Sequence, residues 1–402
     1  MTAPVLAIRA KSVLTLAGES PARGAQLFAA LKKIDNAVIL VRGGLVEDVR
    51  PWAQARLPVG ARVRDVGPVC LAPGCVNAHL HLELSHLAGR TLWGKGFTPW
   101  LASLIPLLGA SSENEVAEAL ASACADLAGT GTAHAGNVTG SLARGLALAD
   151  KACREMGLDV SHFCEWFGFG PPFVDDARPW PPRCRAALAA QPFLAARCAP
   201  AGHALYSTAP DVLRAARKAC AARGKVFSFH LAESPEETQL LTTGDGPLRD
   251  CYENVVLPQG WRPPGMRPLA YAASLGLLGP GALAVHGVQL DAQEVEALAA
   301  GGTALCLCPR SNRNLGVGTP PVRALMENGG LLCLGTDGLT SNSDLDVRRE
   351  AVYLRETLDV PPEALVRLLT VNGAAALGLA AGGRLTPGAP ATFCVLPQAL
   401  TY

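Results

Sequence analysis

The chain has 402 residues, 49% hydrophobic and 17% charged, enough for one elaborated barrel or for two or three average domains. That composition excludes a disordered chain, and a net charge of +1 with no basic run interleaved with aromatics excludes a dedicated nucleic-acid binder. The start, MTAPVLAIRAK, lacks a basic segment before an apolar core, and no run of about 18 apolar residues follows. Neither a signal peptide nor a membrane span is therefore expected, and the cytoplasm is the expected compartment.

Residues 1–65 read as strands. Val5 to Leu16 is apolar with interspersed polar residues. Ala37 to Val49 carries Gly43-Gly44 between two apolar runs, a hairpin signal because both glycines accept positive φ. Short apolar strands then alternate with Ala- and Leu-rich helical stretches. The strands are expected at Val69–Val76, Gly131–Gly136, Leu158–Cys164, His203–Ser207, Val226–His230, Leu283–His286, Thr303–Cys308 and Leu331–Gly335. Helical patterns fall at Glu113–Ala128, Ala209–Ala222, Ala292–Ala300 and Pro321–Glu327. At the far end a turn over Gly383–Gly388 precedes the strand-like Ala391–Leu396. These patterns predict an α/β chain: a (β/α)8 TIM-like barrel over 66–379, with a small β-sandwich built from 1–65 and 380–402. A doubly wound open sheet alternates in the same way. The thirteen cysteines include no CxxC pair and read as buried reduced thiols.

Five of the eight histidines fall at the C-terminal end of an expected strand, where barrel enzymes carry their chemistry. His79-Leu80-His81 ends an extended segment, so a period of two aims both rings to one side. His230, with Glu233 three residues on, ends another strand, as does His286, and Asp337 follows the last. Three neutral imidazoles and one carboxylate suit Zn²⁺ first and Fe²⁺ second, with a position left open for water.

In order, the segments Pro73-Gly74-Cys75-Val76-Asn77-Ala78-His79-Leu80-His81, His230-Leu231-Ala232-Glu233, Val285-His286-Gly287 and Gly335-Thr336-Asp337 resemble the amidohydrolase superfamily over nearly the whole chain. The resemblance implies a metal held by His79, His81, His230 and Asp337. It also implies proton transfer by Glu233 and His286, with Asp337 sharing the removal of the water proton. The two-metal members bridge their ions with a lysine at the end of strand four. Here Gly202-His203-Ala204-Leu205-Tyr206-Ser207 has none, so one ion is expected, as in the deaminase and chlorohydrolase branch.

Within that branch, His203 before Tyr206-Ser207 is similar to the nucleoside deaminases' His-x-x-Tyr-Ser segment, whose histidine contacts substrate. Glu83, two residues beyond His81, is expected to face the same mouth and reach a ribose hydroxyl. Trp100 falls where the branch has an aromatic residue on the loop after strand one. Cys308-Pro309-Arg310-Ser311-Asn312 resembles a Ser-Asn loop that shapes the pocket wall. The stretch from His79 to Leu87 looks closest to the aminodeoxyfutalosine deaminases of the futalosine route to menaquinone. The distal part of such a substrate is expected to meet Arg197, Arg310, Trp166 or the Trp100 loop. Deaminases of S-adenosylhomocysteine, methylthioadenosine or guanine, triazine chlorohydrolases, and a non-catalytic binding barrel are the alternatives. The expected partner is a small molecule, and homo-oligomerisation is compatible with everything above.

Overall fold

The computed structural model describes residues 4–142, 144–170, 179–253 and 255–401. Both chain ends join in one mixed sheet of β1 (Val5–Leu14), β2 (Lys33–Arg42), β3 (Leu45–Pro51), β4 (Arg62–Asp65), β5 (Cys70–Pro73) and the C-terminal β14 (Phe393–Val395). The Gly43-Gly44 turn closes the β2–β3 hairpin with φ of 59° and 81°, a left-handed pair that side chains resist. One edge of β1 pairs with β2; the other is shared between β4 along Leu6–Arg9 and β5 along Ser12–Val13. Apolar clusters cover both faces, one around Ile8, Val13 and Ile39, the other around Val5, Ala7 and Val38.

The expected strand Val69–Val76 is two strands. Gly74 breaks it: a Cβ there would lie 2.6 Å from that of Ala133, and the backbone turns from the terminal sheet into the barrel. The terminal sheet thus takes in residues 70–73, which the sequence pattern assigns to the barrel.

Eight parallel strands follow: β6 (Cys75–Leu80), β7 (Thr132–Thr139), β8 (Asp159–Trp166), β9 (Cys198–Gly202), β10 (Phe227–Leu231), β11 (Ala282–His286), β12 (Ala304–Leu307) and β13 (Leu331–Leu334). They pair in chain order as two four-stranded runs, β6 to β9 and β10 to β13. Hydrogen bonds cross both seams. The His230 amide donates to the His203 carbonyl at 2.8 Å, and the Asp337 amide to the His79 carbonyl at 3.1 Å. β10 to β12 are buried along their whole length, so they read as continuous apolar runs rather than alternating ones. Strand four lies earlier than the apolar run His203–Ser207 predicts, in Cys-Ala-Pro-Ala-Gly, where Pro200 and Gly202 disguise it. His203 consequently sits just past its end.

Helices fill the crossovers and start where the side chains allow. Ser112 with Glu115, and Asp291 with Glu294, form reciprocal capping boxes at helices Glu113–Gly129 and Ala292–Gly301, each worth about 1 kcal/mol. No helix among the described residues is long and apolar enough to cross a membrane. All thirteen cysteines are free thiols, and only Cys251 is not fully buried.

Candidate active site

The C-terminal strand ends open into a cavity of about 920 Å³ lined by His81, His230, Glu233, His286 and Asp337. β6 ends at His79 and Leu80, β10 at His230 and Leu231, β11 at His286, and β13 three residues before Asp337. The backbone is forced at this rim: Ala232, His286 and Asp337 have φ of 51°, 78° and 60°. Non-glycine residues held in that region cost of order 1–3 kcal/mol each and mark sites where side-chain aim matters more than local comfort.

One ring nitrogen each of His79, His81 and His230 lies within 4.8 Å of the other two. The Nε2 atoms of His81 and His230 are 3.3 Å apart, and Asp337 Oδ1 is 3.5 Å from His81 Nε2 and 3.7 Å from His79 Nε2. Ligands about 2.0–2.1 Å from a tetrahedral ion stand about 3.3 Å apart, so this spacing fits one ion. Both ring nitrogens of the fully buried His79 lack a hydrogen-bond partner among the described residues, which is costly unless a cation takes one of them. Burial holds the His79 and His230 pKa values below the usual range and brings His81 down to about 4, so the rings are neutral and able to ligate. Burial opposes ionisation of Asp337, but the surrounding imidazoles, His79 first, outweigh it and keep its pKa well below the usual range. The other Asp337 oxygen, Oδ2, accepts from Ser311 Oγ and Ser341 Oγ, both at 2.7 Å, which leaves Oδ1 aimed at the histidines.

A second cluster, Glu233, His286 and Asp337, also lies within 4.8 Å. His286 Nδ1 faces the side-chain oxygen Oδ1 of Asn312 at 3.0 Å, so Nδ1 carries the proton. Its Nε2 is left as an acceptor 3.5 Å from Glu233 Oε1. Burial lowers the His286 pKa to about 3 and raises that of Glu233 well above the carboxylate range, with Asp337 adding to the latter. A neutral imidazole thus faces a carboxyl able to hold a proton. Glu237 accepts the Glu233 amide at 2.7 Å and fixes that turn.

Three expected substrate contacts, Glu83, Arg197 and Arg310, are not among the residues lining the cavity. The extended backbone stops at His81, and Leu82–Leu87 is a 3-10 helix, so the period of two fails before Glu83. The Glu83 carboxylate instead accepts Gly140 N at 3.0 Å, Ser141 N at 2.6 Å and Thr139 Oγ1 at 2.9 Å. Arg197 precedes β9 at the opposite end of the strands, paired with Asp150 at 3.0 Å and Asp159 at 3.4 Å. Arg310 is likewise engaged, with Asp344 at 2.8 Å and Glu350 at 3.4 Å. His203, Trp166 and Trp100 do line the cavity, and Trp100 Nε1 donates to the Thr340 carbonyl at 2.8 Å. His134 and His162 lie outside it, His134 against Asp159 and Ser161, His162 against Asn137 and Asp150. Three charged cavity residues were not anticipated from the sequence: Glu165, Arg183 and Arg185. Glu165 carried a signal, a carboxylate ending a buried strand; the arginines, in a proline-rich stretch, carried none.

Residues 70–401 match the amidohydrolase family. Over 370 residues the chain is 30% identical to a 5-methylthioadenosine/S-adenosylhomocysteine deaminase of Nitratidesulfovibrio vulgaris, covering 84% of this chain and 73% of that one. The fold is similar to that of a zinc-bound adenosine deaminase from Xanthomonas campestris, with a TM-score of 0.75 and 23% identity over 96% of this chain and 83% of that one. It is also similar to the aminofutalosine deaminase of Helicobacter pylori, with a TM-score of 0.78 and 20% identity over 96% and 91% of the two chains.

Proposed function

The chain belongs to the amidohydrolase family, as a hydrolase acting on C–N bonds, and from that premise we propose that it deaminates an adenine nucleoside. The observation that carries this reading is the meeting of Glu233, His286 and Asp337 within 4.8 Å, against three neutral imidazoles. Attack at C6 of adenine needs a base for water on one side of the carbon and a proton donor for the ring nitrogen on the other.

The metal set is His79, His81, His230 and Asp337; the ion they would hold, Zn²⁺ by donor set, supplies a Lewis acid that makes hydroxide available near neutral pH. Asp337 Oδ1 and His286 Nε2 take the water proton. Glu233, its carboxyl kept protonated by burial, gives a proton to N1 as the C–O bond forms. The proton held by Asp337 and His286 then passes to the departing amine while the ionised Glu233 recovers the C6 hydroxyl proton, so the C–N bond breaks to ammonia and hypoxanthine remains. Ammonia release across adenine nucleosides, guanine and chlorotriazines tests the class. Release from none of them would leave a binding protein.

For the substrate itself we favour 6-aminodeoxyfutalosine, which would place the enzyme in menaquinone synthesis in the cytoplasm. Arg183 and Arg185 support it. Both stand on the cavity wall on helix Pro182–Ala190, Arg183 donating to the Ser141 carbonyl and Arg185 to that of Trp180 at 3.0 Å. An aryl carboxylate suits such a wall, whereas the zwitterionic tail of S-adenosylhomocysteine needs both charge signs there. The second reading, a methylthioadenosine or S-adenosylhomocysteine deaminase, is favoured by the 30% identity to one. Comparing kcat/KM on these nucleosides separates the two: a tenfold preference for either thio-nucleoside, about 1.4 kcal/mol, overturns the first.

A further inference from the structure

We propose that Glu165 is a specificity-determining residue that accepts a hydrogen bond from a pentose hydroxyl of the substrate; this rests on the adenine-nucleoside reading. Glu165 is the penultimate residue of β8, on the cavity wall, with a side chain only 6% exposed. Its Oε1 is buried and has no hydrogen-bond partner among the described residues. An acceptor left so is expensive, at about 1–3 kcal/mol, and such groups in a cavity await a donor from the ligand.

No donor among the described residues reaches Glu165 Oε1, although one ring nitrogen each of His203 and His230 lies within 4.8 Å of its carboxylate. His230 Nδ1 stands 3.8 Å from Glu165 Oε1, beyond hydrogen-bond reach, and donates to the His203 carbonyl at 2.8 Å. His203 Nδ1 is bonded to Ser207 Oγ. The segment cannot swing away to find another partner. Gly140, at φ 131°, packs so closely that a Cβ on it would sit 2.9 Å from the Glu165 carbonyl oxygen. The next carbonyl, that of Trp166, receives His203 N at 3.0 Å and Thr208 Oγ1 at 2.9 Å.

The donor inventory of an adenine nucleoside then selects the contact. N9 is substituted, so the only N–H donor on the ring is the 6-amino group, which departs at the reacting carbon. The remaining donors of the nucleoside core are pentose hydroxyls. Glu83, the carboxylate the sequence offers for this role, spends its oxygens on Thr139, Gly140 and Ser141. Glu165 is the buried carboxylate of the cavity wall outside the proton-transfer cluster.

The test is kcat/KM of the zinc-loaded enzyme on adenosine, 2′-deoxyadenosine and 3′-deoxyadenosine, for wild type, Glu165→Gln and Glu165→Ala, with direct binding measured alongside. Wild type should prefer adenosine over one deoxy analogue by about tenfold or more, because a site built around a hydroxyl rejects its absence. Glu165→Ala should lose about tenfold on adenosine and under about twofold on that analogue, with Glu165→Gln between them. Equal losses on all three nucleosides overturn the assignment while leaving the deaminase reading intact. A second zinc equivalent in wild type that disappears in Glu165→Ala overturns it in favour of a metal ligand. Neither turnover nor binding of any nucleoside by wild type overturns both.

Discussion

The backbone carbonyl of His203 receives two hydrogen bonds from His230, one from its amide and one from its ring Nδ1, both at 2.8 Å. A carbonyl only accepts, so Nδ1 carries the proton, and Nε2 faces His81 Nε2 with its lone pair free. The β9–β10 seam and the tautomer of a candidate metal ligand therefore depend on the same atom.

Because that atom belongs to the backbone, His203→Ala should retain one equivalent of metal. The ring, however, lines the cavity, so KM should rise by about tenfold with kcat changed far less. Metal analysis and steady-state kinetics on one preparation check this. Loss of the ion in His203→Ala would show that the ring, not the carbonyl, orients His230.

Glu233→Gln should lower kcat by about 10²-fold or more with the metal content unchanged, since in the proposed mechanism this carboxyl moves a proton and stands outside the ligand set. Asp337→Asn should weaken both metal retention and turnover, because Oδ1 faces His79 and His81. Chelation should abolish activity, and one equivalent of zinc should restore it. Near-normal turnover in Glu233→Gln would remove it from the mechanism.

Arg183→Gln together with Arg185→Gln should raise KM by about tenfold for a nucleoside with a distal carboxylate, the loss of about one charge-assisted hydrogen bond. Methylthioadenosine, which carries no charge at that end, should be handled as before. A parallel loss on both would mean that the arginines hold the wall rather than read the substrate.

Acid stability should depend on Asp150. Burial pushes its carboxyl up, but His162, Arg154 and Arg197 outweigh that and bring it from 3.8 to about 2. A depressed folded pKa adds stability that is present above 3.8 and lost as pH falls towards 2; the contribution is roughly 2 kcal/mol. Asp150→Asn should lower the melting temperature at pH 7 and flatten the fall between pH 4 and pH 2. A variant that keeps the full acid slope would place the titrating group elsewhere.

The amino-acid sequence by itself determined the alternation of strands and helices, the position of the metal-type residues at strand ends, and the strand-rich character of both chain ends. Those features rest on local periodicity: His79 and His81 share a face because an extended chain repeats every two residues, and Asp337 follows an apolar run with strand length. The same logic misplaced Glu83, because a 3-10 turn begins one residue after His81 and rotates everything beyond it. It put Arg197 near a strand end but at the wrong end, since Pro200 and Gly202 hid where β9 begins. Only the tertiary structure decided that Glu165, Arg183 and Arg185 share the cavity with Glu233. They also carry no common spacing, and they meet because strands and crossovers far apart in the chain converge on one rim. Asn312 and the two serines are of the same kind. Their roles are set by which oxygen or nitrogen faces a partner across a seam, and that is fixed by packing rather than by any repeat along the chain.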